Sequence, residues 1–141
     1  MSWTINKDNF LEIPFNALTN EVNTSGNRIP RTTGDHDLIG TDLGQYPWLP
    51  PGTIIEYMHF VVDEAFTSAG SATLTWGRGG AKTFGSSSTA KALSALTAGA
   101  FFQSNSSSWI SGTSNQQLLA TIGTAVFTAG KGRFLAKFRL T

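Results

Sequence analysis

The chain has 141 residues, a formal net charge of +1 and no cysteine. That length suits one domain with its own core, and the missing thiols exclude disulfides and thiolate metal sites. Charged residues are 13% of the chain, about half the usual share of a soluble domain, while 40% hydrophobic and 11% aromatic content excludes a disordered polymer.

A surface of small uncharged polar groups is easily desolvated. It fits a protein that assembles better than a solitary, highly soluble enzyme. The charges are unevenly spread. Residues 1–64 hold all nine acids and only Lys7, Arg28 and Arg31, a net −6. Residues 65–141 hold no acid and seven bases (Arg78, Lys82, Lys91, Lys131, Arg133, Lys137, Arg139), a net +7. Such asymmetry can mark a nucleic-acid partner. Here the bases are widely spaced, so no nucleic acid is expected. The acidic and basic halves are expected to face each other, within one subunit or between neighbours. No run of eighteen apolar residues is present, so no membrane partner is expected. Met1 to Asp8 shows no basic stretch leading into an apolar one, which predicts synthesis in a cytoplasm without an export signal.

Residues 1–50 read as an extended arm followed by loops. Phe10, Leu11, Ile13, Phe15 and Leu18 are apolar, but Pro14 forbids a helix through them. Asn23 to Gly34 is rich in turn residues. Tyr46 to Gly52 is a stiff aromatic lead-in, because Pro50 and Pro51 favour an extended backbone and cannot donate to a sheet.

The strand signal is clear over Thr53–Asp63, rich in β-branched and aromatic residues. Ile54, Met58, Phe60 and Val62 share one parity; Ile55, Tyr57, His59 and Val61 share the other. With both faces largely apolar, this is a central strand covered on both sides or a strand at a subunit contact. Ala72, Leu74 and Trp76 then alternate with Thr73, Thr75 and Gly77 as a half-buried strand with Trp76 in the core. Gly77–Thr83 lacks the spacing of a phosphate-binding loop and reads as a surface turn. Residues 89–98 permit one short helix ended by Gly99. Ser104–Ser108 and Ser111–Asn115 read as polar loops around Trp109 and Ile110. The last segment reads as a hairpin: Leu118–Phe127, a turn over 128–132, and a closing strand. That strand turns Phe134, Ala136, Phe138 and Leu140 inward and Arg133, Leu135, Lys137 and Arg139 outward, with the bases guarding a sheet edge. Short strands with Gly and Ser turns predict an all-β fold: an antiparallel, jelly-roll-like β-sandwich over residues 51–141, preceded by the extended N-terminal arm of residues 1–50.

No catalytic, metal or cofactor site emerges. Asp35, His36, Asp37 and Asp42 form the densest polar cluster, but neighbours in an extended segment point apart, so a solvated turn is expected. His59 reads as a core or interface histidine with one hydrogen-bond partner. Two histidines without a nucleophile elbow do not make a triad. Glu56 and Glu64 share parity but lie about 26 Å apart along an ideal strand, too far for paired glycosidase carboxylates.

From residue 51 onward, Pro51–Ile55, Glu64–Phe66, Ala72–Gly77, Leu96–Gly99 and Phe127–Gly132 follow in an order that resembles the small β-sandwich structural proteins of tailed bacteriophages. These occur as capsid cement or decoration proteins and in head or tail fibres. The resemblance implies a non-enzymatic virion protein on the outer capsid surface, often a homotrimer, whose partners are the major capsid protein and its own copies. On that reading the arm is removable without loss of the sandwich, and Trp3, Phe10, Phe15, Trp48 and Trp109 are the expected interface anchors. The rival reading is a receptor- or carbohydrate-binding module of a fibre or lectin, using Trp109 and the Ser/Asn-rich loops.

Overall fold

A computed structural model of the chain describes residues 4–5, 10–38, 52–78, 90–104, 108–109 and 118–139. Its strands are β1 (Thr4–Ile5), β2 (Phe10–Asn16), β3 (Leu18–Val22), β4 (Arg28–Pro30), β5 (Gly34–Asp37), β6 (Ile54–Thr67), β7 (Thr73–Arg78), β8 (Lys91–Ala92), β9 (Phe101–Phe102), β10 (Ser108–Trp109), β11 (Leu118–Gly123) and β12 (Ala129–Arg139). The larger sheet runs β1-β2-β12-β6-β10, with β9 also on the β6 edge; the smaller runs β5-β11-β7-β8; among the described strands β3 and β4 pair only with each other. Every pairing is antiparallel. The fold is the expected all-β sandwich.

The two sheets meet through aromatic side chains. Trp76 on β7 is fully buried, with its ring 5.3 Å from Phe60 and 5.7 Å from Phe134 on the larger sheet. Its indole N–H donates to the Met58 carbonyl at 2.9 Å, which satisfies the one polar atom that burial would strand. Phe15, Phe66, Phe102 and Phe127 extend this cluster. The alternation expected for β7 holds from Ala72 to Trp76, with Ala72, Leu74 and Trp76 buried and Thr73 and Thr75 partly exposed, while Gly77, expected outward, is buried.

β12 also keeps its expected parity: Phe134, Ala136 and Phe138 are buried, and Arg133, Leu135 and Lys137 are partly exposed. Leu140 lies outside the described residues. Its place in the sheet differs from the expected edge, since β12 lies between β2 and β6. The expected terminal hairpin is also absent. β11 pairs with β5 and β7 in the smaller sheet, and β12 belongs to the larger one. The connection crosses between the sheets because Phe127 is fully buried against Phe66, ring centroids 5.0 Å apart. Thr124 takes φ 71° at this corner, an uncommon conformation for a β-branched residue.

The glycines assigned to a turn lie inside β12 and serve packing. A Cβ on Gly132 would lie 2.5 Å from both Phe60 Cζ and the Val61 carbonyl oxygen. On the neighbouring strand, Lys137 faces Tyr57 and Phe138 faces Ile55. This β-bulge at Glu56 turns Ile55 to the same buried side as Met58, Phe60 and Val62, against the strict parity read from the sequence. Residues 91–98 hold β8 and a single 3-10 turn, Leu93–Ala95, in place of the expected helix. Pairing of β8 with Thr73 and Leu74 draws that stretch into the sheet.

The division at residue 50 is not the one the strand pairings draw. β2 pairs with β12 over seven residues, from Phe10↔Lys137 to Asn16↔Lys131, and β5 pairs with β11. Ile13, Phe15, Ala17 and Leu38 belong to the main core. Deleting residues 1–20 is therefore expected to abolish the cooperative unfolding transition, followed by far-UV circular dichroism, where a removable arm leaves it intact. Gly132→Ala is expected to cost about 1–3 kcal/mol through overpacking, read as a lower urea midpoint at unchanged slope.

Candidate functional site

The outer face of the larger sheet carries most of the chain's described chemistry. Strand alternation sets Phe10, Glu12 and Pro14 of β2, Lys131, Arg133, Leu135, Lys137 and Arg139 of β12, and Tyr57, His59, Val61 and Asp63 of β6 on this side, opposite the buried set. Pairing arranges them in rows across the strands. One row is Phe10, Lys137, Tyr57; the next is Glu12, Leu135, His59; the third is Pro14, Arg133, Val61, Phe101.

The charges of the two halves of the sequence meet here, within one chain. Arg133 donates to both Asp63 oxygens at 3.1 Å and to Glu12 at 3.3 Å, and these carboxylates raise its pKa. Arg139 lies 2.7 Å and Lys137 3.8 Å from Glu56, and Lys131 lies 3.9 Å from Glu64. Exposed pairs of this kind contribute about 0.2–1 kcal/mol each. Their larger effect is to leave the face without net charge.

His59 sits at the centre. Its ring stacks on Tyr57 with centroids 4.1 Å apart and planes at 7°, and meets Phe101 edge-on at 5.4 Å. The backbone N–H of Ser104 donates to Nδ1 at 2.8 Å. This is the single-partner histidine expected from the sequence. A neutral ring accepting at Nδ1 carries its proton on Nε2, so neither nitrogen offers a free lone pair for proton abstraction. Burial pushes the His59 pKa below its ordinary 6.5. The unfolded chain therefore binds a proton that the folded chain resists. The stabilisation is fully present above pH 6.5 and is lost as the pH falls below it. The melting temperature is expected to drop below that pH, and His59→Phe is expected to remove part of this dependence in a calorimetric pH series.

The expected anchors fall in different environments. Phe15 is 3% exposed, in contact with Phe66 and Phe134 and with the Arg31 guanidinium over its ring at 5.5 Å. It is thus a core residue, because it shares the inward parity of β2 with Ile13. Phe10 lies on β2, half-buried on the outer face. Trp109 lies on β10, paired with Ile54. Trp3 and Trp48 lie outside the described residues. The Asp35–Asp37 cluster is strand β5 and not a solvated turn: Thr121 donates to Asp35 at 2.8 Å, while His36 contacts the Thr32 carbonyl at 2.7 Å. Asp42 lies outside the described residues, and among those described no three His, Cys, Asp or Glu side chains gather to hold a metal ion. No described helix is long and apolar enough to cross a membrane. The exposed Phe101 carried no sequence signal beyond being aromatic, whereas the apolar second parity of β6 did point to this face.

No family model matches the chain, and no curated protein does. Among solved structures, a chain of the cyanophage Pam1 capsid asymmetric unit is similar, with a TM-score of 0.53 at 15% sequence identity, over 94% of this chain and 86% of that one. At that identity the likeness is one of fold.

Proposed function

We propose that the protein is a non-enzymatic structural component of a bacteriophage virion, and within that class a capsid cement or decoration protein. It would sit on the outer capsid surface and bridge major capsid protein subunits, working alongside its own copies. The observation that carries this reading is the fold shared with a chain of the Pam1 capsid asymmetric unit, each chain spanning most of the other. The outer sheet face supports it: its charges are neutralised, its apolar groups are presented on rigid strands, and its histidine is engaged by a backbone amide. Such a face suits adhesion.

Purified virions of the phage that encodes the chain provide the test. Immunogold labelling with antibodies to the recombinant protein is expected to decorate the heads. Label confined to tail fibres, or particles in which mass spectrometry finds no trace of the protein, would overturn the capsid reading.

A further inference from the structure

The larger sheet presents apolar groups outward that the described residues leave uncovered. Phe101 is 52% exposed, and Pro14 beside Arg133 in the same row is exposed as well. The same face and its rim carry four acids (Glu12, Glu56, Asp63, Glu64) and four bases (Lys131, Arg133, Lys137, Arg139), each acid within 4 Å of a base. A nucleic acid or an acidic membrane would have to displace these carboxylates to reach the bases. A partner with the same alternation of charge can keep each acid beside a base on approach.

We propose that two copies of this chain meet face to face here, across a two-fold axis that runs between β12 and β6 and parallel to them. The cross-strand rows supply the argument. Such an axis lays each row on its own reverse. Pro14 of one copy then falls over Phe101 of the other, and Arg133 over Val61 with Asp63 beside it. Leu135 falls over His59, and Lys137 over Tyr57. Apolar groups meet apolar or aromatic ones, and the basic strand of each copy lies on the acid-bearing strand of the other. A two-fold axis across the strands through Leu135 would set Arg133 over Lys137, like charge on like, so register favours the first arrangement. It also accounts for Tyr57, His59 and Val61, the part of the second apolar parity of β6 that stays on the outer face once Ile55 has turned into the core.

This goes beyond the capsid reading and fails separately from it, since labelling of particles does not depend on how free chains associate. The test is sedimentation velocity on the full chain at about 100 µM, where a micromolar contact is saturated. The expected mass is that of two chains, against 15.1 kDa for one. Phe101→Glu lies on a short edge strand and is expected to shift the mass to a single chain while the melting transition is retained. Leu135→Glu, at the centre of the rows, is expected to do the same. A single-chain mass for the unaltered protein, a trimer, or a dimer unmoved by Phe101→Glu would overturn the proposal.

Discussion

The ring of Phe60 rests where Gly132 has no side chain, and the rest of the sandwich is arranged around that contact. Gly132 pairs with Val62 next to it, so the two longest strands are joined at the point where the ring descends. From there Phe60 reaches Phe134 at 4.5 Å, Trp76 at 5.3 Å and Phe66 at 6.0 Å. One ring therefore touches both sheets, and Phe66 links it to Phe127 at the corner between them. Close packing of this kind transmits small changes in volume to every neighbour.

Period-2 patterns made β7 and β12 legible with their correct inner and outer faces, because each has one dry and one wet side. The sequence also separated acids from bases well enough to anticipate that they meet. Pairing partners were hidden. Nothing local in Phe10–Asn16 says that its hydrogen bonds go to Lys131–Lys137, so a strand of the larger sheet read as an extended arm. Gly130 and Gly132 read as a turn because turn chemistry and the need to admit a ring use the same residue. The extra residue at Glu56 likewise leaves no trace in a parity count, yet it moves Ile55 to the core.

Of the candidate anchors, Phe15 shows the limit of reading aromatics from their neighbours. As an apolar residue of the extended arm it read as an interface anchor, but parity along a paired strand decides the matter and turns it inward against Phe66 and Phe134. His59 was readable in kind, as a singly bonded ring among apolar residues. Its partner, the amide of Ser104, comes from a polar stretch that carries no pattern of its own. The outer face combines both lessons: its strand signal was visible, and its rows across β2, β12, β6 and β9 exist only once the pairings are known.

The position of β12 between β2 and β6 also sets an order of events during synthesis. Residues 10–16 and 54–67 emerge from the ribosome long before residues 129–139, and neither can close the larger sheet without them. Until then both strands present unpaired edges lined with Ile, Val and Phe, a template for wrong partners. Contacts so distant in sequence also close slowly. The nascent chain thus passes through an interval in which its greatest hazard is its own unfinished sheet, and the charges of Glu12, Glu56 and Asp63 on the waiting strands are in place to keep other waiting strands apart.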